Sequence, residues 1–350
     1  MYSSASLRRC ETLTPDLCKM ITVTQYYRRP LPMGHFSIES YFNTIAASAP
    51  ADIKIKKVIA PAYSRGLFAR LWIAIHAMFH QSQVNHITGD IHFIAPFLSR
   101  SRTILTIHDC GQLKIKKGLA FHVLKFFWFT LPCKWVNKIT VNSEYTKQDL
   151  LSYIDISPDK ITVIPIFVSD IYQRQDKPFN QEKPTIVQIG TAHNKNINRT
   201  LDALQDIHCH LIILGRLAED QKQKLIKYNI EHTLIERPIS DQELYELYKQ
   251  ADILTLISTL EGFGMPIVEA NKVGRVVITS NCTSMPWVAG DAAHLVDPLD
   301  VEDIKKGFIK IISDEVYRNS LKANGYNNAI RFDSHTIAGT YNELYKKLVA

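Results

Sequence analysis

The chain has 350 residues, 46% hydrophobic and 21% charged, a globular composition with room for about two domains. No run of roughly 18 uncharged apolar residues is present, which excludes a membrane-spanning helix. The six cysteines (Cys10, Cys18, Cys110, Cys133, Cys209 and Cys282) form no C-x-x-C pair, which argues against a zinc site or a disulfide framework and for a reducing compartment.

The net charge of +7 is uneven. Residues 1–170 hold 20 Lys and Arg against 11 Asp and Glu, and the remainder 21 against 23. A basic first half fits a phosphate-bearing or membrane-surface partner, and equally a solvated basic face. Net charge alone would suggest nucleic acid, and no recognition motif supports that partner.

Residues 1–19 lack the apolar core of a signal peptide, and Glu11 and Asp16 argue against a transit peptide, so a poorly ordered extension is expected. From Met20 onward, β-rich apolar runs alternate with helical spacing. Strands are expected at 21–27, 55–61, 84–89, 102–109, 138–143 and 160–165, and helices at 66–80, 119–130 and 144–154, the last capped by Ser143. This alternation predicts a parallel sheet flanked by helices over 20–166. Residues 167–184 are polar, contain two prolines and read as a linker. The alternation then restarts, with strands at 185–190, 210–215, 232–237, 251–258, 275–280 and 292–297. Helices fit 197–206, 218–228, 241–250, 266–273 and 301–313, giving a second domain over 185–335. A terminal helix, 336–350, is expected to pack back on the first domain. In α/β architectures of this kind, ligands bind outside the carboxyl ends of strands, and two facing domains make the cleft the default site.

One stretch concentrates the chemistry. In "LEGFGMPIVEA" (260–270), two acids, Glu261 and Glu269, bracket a turn that opens a helix. Pro266 suits the first helical turn and Gly274 the position past the end. Gly262 and Gly264 keep the entrance clear of side chains, and N–H groups from about Gly264 to Ile267 offer an anion site. Glu269 suits a vicinal diol such as a ribose, and Glu261 a second polyol. An anion between two diols describes a sugar nucleotide. The alternative is an ordinary Glu-Gly turn whose acids only complement the helix dipole. His208 and His210 are a metal pair in principle, and a structural role at a strand start is favoured for both.

The chain resembles the retaining glycosyltransferases of family 4, which have the GT-B fold of two doubly wound, Rossmann-like domains facing across a cleft. The resemblance rests on "EGFGMPIVE" preceded by "SDQELYELYKQADILTLIS", on "VQIGTAHNKNINRTLDAL" (187–204), "TIHDC" (106–110), "HITGDIHF" (86–93) and "VNSEYTKQDLLSYIDISPDKITVIP" (141–165), in the family's order. It covers most of residues 20–350. It implies that Lys195 contacts the donor phosphates, Glu269 the ribose, and Glu261 the transferred sugar or the reacting phosphate. His108 would line the sugar pocket beside Asp109. Gly34 would sit near the phosphates and acceptor, and the main chain around Arg237–Ile239 near the base. Gly190, Thr191, Gly262, Phe263, Gly264 and Met265 complete the implied donor contacts. The chain departs from the pattern at Asn194, where many members carry arginine, at Gly34, which stands without a second glycine, and at Ile257, where proline is common.

The implied activity is metal-independent transfer of a hexose-type sugar from a nucleotide-sugar donor to a glycan or lipid-linked acceptor, in cell-envelope polysaccharide synthesis. No cofactor is expected. A non-catalytic nucleotide-sugar-binding or partner subunit of the same fold is the alternative, motivated by Asn194. "KIKKGLAFHVLKFFWFTLPCKWVNK" (114–138) and "RGLFARLWIAIHAMFH" (65–80) interleave cations with aromatics. They fit an anionic membrane surface or, slightly better for the apolar segment itself, buried helices with basic ends. The expected location is cytoplasmic and peripheral at the inner membrane.

Overall fold

The computed structural model describes residues 20–30 and 37–349. The readings made for residues 1–19 and for Gly34 lie outside the described residues.

The first half runs β1 (Ile21–Tyr27), α1 (Ser37–Ala47), β2 (Ile53–Ile59), α2 (Gly66–Met78), β3 (Val84–Ile87), β4 (Thr103–Ile107), α3 (Gly111–Ile115), α4 (Gly118–Leu124), α5 (Leu131–Trp135), β5 (Lys138–Val141), α6 (Glu144–Tyr153) and β6 (Ile161–Val163). Its six strands pair in parallel in the order β2-β1-β3-β4-β5-β6. β3 and β4 are short and buried at every position, as a parallel sheet covered on both faces requires. The order reverses between β1 and β3, which opens a crevice at their carboxyl ends.

The second half runs β7 (Thr185–Ile189), α7 (Ile197–Leu204), β8 (His210–Leu214), α8 (Glu219–Lys227), β9 (Glu231–Ile235), α9 (Asp241–Gln250), β10 (Ile253–Leu256), α10 (Met265–Val273), β11 (Val276–Ser280), α11 (Met285–Ala289), β12 (His294–Val296), α12 (Val301–Ser313), α13 (Glu315–Ile330) and α14 (Ser334–Lys347). Its sheet is again parallel, in the order β12-β11-β10-β7-β8-β9, and the reversal lies between β7 and β10. The local chemistry of each helix start is explicit. Ser240 and Glu243 close a reciprocal capping box on α9, and Asp300 accepts from two N–H groups of α12.

The connection 164–184 has no helix or strand and is pinned by one buried carboxylate. Asp252 pairs with Lys177 and accepts from the Thr185 N–H at 2.8 Å. α14 returns to the first sheet. Its Tyr345 hydroxyl hydrogen-bonds His86 Nδ1 (2.7 Å) and accepts from Gln25 Nε2 (3.2 Å), while Tyr341 meets the Phe42 ring at 5.7 Å. Burial holds His86 far down, to about 3, so this network contains a neutral imidazole.

The helix expected over 119–130 is interrupted. α4 gives way to a π-helical turn at Lys125–Thr130 before α5 begins. Pro132 lacks the N–H that the Trp128 carbonyl would receive in a continuous α-helix, and His92 Nδ1 meets that carbonyl instead at 2.9 Å.

Candidate active site

The two acids of the opening motif sit at the reversal of the second sheet, just beyond β10. Glu261 lies in the loop between β10 and α10. Its Oε1 receives the Lys195 ammonium at 2.7 Å and the Ser258 hydroxyl at 2.6 Å. Lys195 comes from the turn after β7, so the pair bridges the two strands that flank the reversal. Gly190 makes this possible: it has φ +84°, and a Cβ there would stand 3.2 Å from Lys195 Cε. The two loops are also joined through Asn194. Its side chain donates to the Leu260 carbonyl at 2.9 Å, and its own carbonyl accepts from the Thr259 N–H at 2.8 Å. The residue at which the chain departs from the arginine of the resemblance is therefore a brace between the loops after β7 and β10.

At the start of α10, Gly264 takes φ +102° and Gly274 at the end takes φ +85°, as the glycine spacing anticipates. The row of N–H donors is shorter than expected. Pro266 has none, and the Ile267 N–H is used by the Gly264 carbonyl at 3.0 Å. The donors left at this entrance, among the described residues, are those of Gly264 and Met265. Phe263 turns its ring into the core against Phe332 (5.6 Å) and is 4% exposed, so only its main chain can meet a ligand. Met265 opens the helix and is half-buried against the same core.

Glu269 is 8% exposed, one turn into α10, and its Oε2 accepts the Tyr248 hydroxyl at 2.7 Å. Burial pushes its carboxyl up to about 7, while the Tyr248 hydrogen bond and the Lys195 charge pull the other way. Tyr248, from α9, was not singled out in the sequence. The only signal for it is its place one strand before the motif, on the apolar helical face that it shares with Leu244 and Tyr245.

His108 stands at the end of β4, across the cleft. Its Nε2 lies 2.9 Å from the Thr88 carbonyl, which can only accept, so Nε2 carries a hydrogen and Nδ1 is the nitrogen left for a ligand. Asp109 accepts from the Gly111 N–H at 2.8 Å and so starts α3. The domains touch at Gly262. A Cβ there would lie 3.0 Å from the His108 carbonyl oxygen and 3.1 Å from Asp109 Cβ. The Gly262 carbonyl accepts from Ser143 Oγ (3.1 Å) and Thr146 Oγ1 (3.3 Å) at the start of α6. Asn142 donates to the His108 carbonyl at 2.8 Å. A cavity of about 210 Å³ lies at this junction, between Asp109, Tyr145 and Asp149 on one side and Asn194, Glu261 and Gly262 on the other.

Two of the candidate donor contacts are engaged within their own domain. Thr191 spends its hydroxyl on the Arg216 carbonyl at 2.6 Å, and Arg237 is an exposed rim residue bonded to Glu243 at 2.6 Å. His208 and His210 make separate bonds, to the Glu182 carbonyl and Thr233, and share no ligand geometry.

Residues 170–328 match the family model described as glycosyl transferases group 1, and residues 45–170 match that described as glycosyltransferase family 4. The O-antigen chain mannosyltransferase B of Escherichia coli is 38% identical over 94 residues, which is 27% of this chain and 25% of that protein. The chain spans about a quarter of the length of this and three further E. coli mannosyltransferases. The N,N'-diacetylbacillosaminyl-diphospho-undecaprenol alpha-1,3-N-acetylgalactosaminyltransferase of Campylobacter jejuni is 26% identical over 265 residues, 69% of this chain and 70% of the relative. Among solved structures, Anabaena Alr3699/HepE in complex with UDP and glucose superposes with a TM-score of 0.73 at 14% identity, over 93% of this chain and 100% of that one. That likeness speaks for the fold, GT-B. The two family models adjoin, one on each sheet, and together run from residue 45 to residue 328: the chain belongs to the group 1 glycosyltransferases.

Proposed function

We propose that the chain is a retaining glycosyltransferase of family 4. It moves a hexose-type sugar from a nucleotide-sugar donor to a glycan or lipid-linked acceptor in envelope polysaccharide synthesis, at the cytoplasmic face of the inner membrane. The observation that carries this reading is the Lys195–Glu261 pair at the reversal between β7 and β10, beside the two N–H donors of Gly264 and Met265. A cation and two main-chain donors at a strand-end crevice suit a diphosphate. The named relatives act on sugars and the Anabaena neighbour carries UDP, which supports the donor class.

In this mechanism the bond between the sugar C1 and the diphosphate breaks, and the acceptor oxygen bonds C1 on the same face, its proton passing to the departing phosphate oxygen. Lys195 and the helix start take up the charge that develops on the leaving group, and no metal is assigned a role. The Glu269 carboxylate accepts from the ribose hydroxyls. Glu261 orients Lys195 in the free protein and turns to the transferred sugar or its phosphate when donor arrives. His108, with Nδ1 open, accepts from a sugar hydroxyl.

The test is thermal stabilisation by a panel of nucleoside diphosphates and their sugars, beside Glu269→Ala. At about 100 times its dissociation constant a ligand adds roughly 2.7 kcal/mol. One base class should stabilise the wild type and lose its effect on the variant. No shift with any nucleotide would remove the donor site. Binding without slow donor hydrolysis would favour a non-catalytic subunit of the same fold.

A further inference from the structure

A second cavity lies away from the donor loops. It measures about 700 Å³ and opens at the reversal of the first sheet, beyond the ends of β1 and β3. α3 separates the two spaces: Asp109, Cys110 and Gly111 face the junction with the second domain, while Gln112 and Lys116 line this one. A ligand held here therefore lies one short helix away from the sugar-transfer cleft.

Its wall is divided by chemistry. Five cations border it: Arg28, Arg29, Arg65, Arg70 and Lys116, against the single carboxylate Asp90. Arg28 bonds Asp90 at 2.9 Å, and that pair is neutralised. The other four have no carboxylate within ion-pair distance among the described residues. Two are held in place by neutral groups. Arg29 donates to the Pro61 carbonyl at 2.8 Å, and Arg70 lies over the Trp128 ring at 4.5 Å. Positively charged groups fixed without counter-charges at a strand-end crevice are a site for a multiply charged anion.

The opposite wall is apolar, formed by Leu119, Ala120, Val123 and Leu124 of α4. It does not end at the rim. Leu119 is 80% and Val123 47% exposed, and Phe126 and Phe127, in the π-helical turn that follows, are exposed too. On the other side of the mouth, α2 exposes Leu67, Phe68, Leu71 and Trp72, with Phe68 at 86%. These side chains are left in water where most folds would bury them. The cavity thus runs from a cationic floor to an apolar lip.

We infer that this cavity binds the acceptor, and that the acceptor is an amphiphile: a glycan carried on a phosphate or diphosphate that is joined to an apolar chain, the glycan reaching past α3 to the transfer cleft. Its anionic group rests among Arg29, Arg65, Arg70 and Lys116. Its chain leaves between α4 and α2. This rests on the transferase reading for the word acceptor, and on the cavity alone for the ligand class.

The experiment is calorimetric titration of the whole chain, at low salt, with farnesyl diphosphate, inorganic diphosphate and farnesol. Farnesyl diphosphate should bind about tenfold tighter than either part alone. Arg65→Ala with Lys116→Ala should weaken it by about tenfold, and Leu119→Ser with Val123→Ser by a similar factor. All four positions are exposed, and unchanged melting temperatures confirm intact folds. Equal binding of inorganic diphosphate would make this a free-phosphate site, equal binding of farnesol a greasy surface, and either overturns the inference. So does displacement of the probe by a nucleoside diphosphate, which would put it in the donor cleft. Nucleotide stabilisation is measured in parallel. If it is absent while farnesyl diphosphate binds as stated, the transferase reading fails and the ligand class stands. If nucleotides stabilise and farnesyl diphosphate does not bind, the reverse holds.

Discussion

The two sheets share a topology, yet the crevices at their reversals are finished in opposite ways. In the second domain the loops are tied down: Asn194 bonds the neighbouring loop twice, Lys195 is paired with Glu261, and Phe263 is driven into the core. In the first domain the crevice is wide, four cations lack carboxylates among the described residues, and apolar side chains face water. A tied site fits a ligand of fixed shape, whose binding cost is lowered by preorganisation. An open site with a charged floor and an apolar lip fits ligands that share a head and vary elsewhere. The difference teaches that one scaffold, repeated, sets where ligands bind, while the loops decide how strictly.

The strongest way to break the comparison is at the tied side. Lys195→Ala should lower transfer, or donor hydrolysis, by about a hundredfold to a thousandfold, because a preorganised charge on the leaving group is lost. Activity within a factor of a few of wild type would mean that the Lys195–Glu261 pair is only a brace.

The next effect is pH-dependent. Burial raises the Glu269 carboxyl to about 7, above its ordinary 4.5, so the folded protein holds a proton that the unfolded chain releases over this interval. Glu269 therefore subtracts stability progressively as pH rises through that window, on the order of 3 kcal/mol when complete. Melting curves should show wild type losing ground to Glu269→Gln as pH rises, whereas parallel curves would deny the shift. Nucleotide affinity should increase over the same window, since ribose hydroxyls donate to the ionised form.

Gly190→Ala tests the packing of Lys195 over a left-handed turn, with a cost of about 1–2 kcal/mol in chemical denaturation. No cost would show that the turn relaxes freely. The smallest effect sharpens the contrast from the open side. Leu119→Ser and Val123→Ser should each change stability by less than about 0.5 kcal/mol, since neither side chain is part of the core. A loss several times larger would mean that this lip is structural.

The strands were legible because β-branched apolar runs of five or so residues between turn signals have few other uses. "ITVTQYY" became β1 with its bounds unchanged, and "ADILTLIS" became β10 trimmed at both ends to Ile253–Leu256. α1 was not read, although Tyr41, Phe42 and Ile45 mark one buried helical face, because in a helix of 11 residues so few apolar positions make a weak period. The bend at Pro132 was missed because periodicity on both sides of it is helical. At the site, the glycine and proline positions of the motif were legible from backbone rules. The Ser143 cap of α6 was legible too, and it accepts from the Thr146 N–H at 3.1 Å. The roles of Asn194, Tyr248 and Thr146, and the bond from Ser143 to Gly262, were not, since each involves a partner at least 21 residues away, which no local pattern encodes.

The return of α14 to the first sheet bears on how the molecule is made. His86 and Gln25 are fully buried, and Tyr345, their partner, lies 259 and 320 residues further along. A ribosome releases the first sheet long before it supplies the hydroxyl that this sheet needs. The nascent first domain must therefore wait with a polar pair and an apolar groove uncovered, a state that chaperones recognise and that aggregates when crowded. The second domain faces no such delay. An expression fragment that holds the first domain alone should depend on α14 added back as a peptide, and the second domain should be soluble only when α14, with Tyr341 and Tyr345, is removed from it.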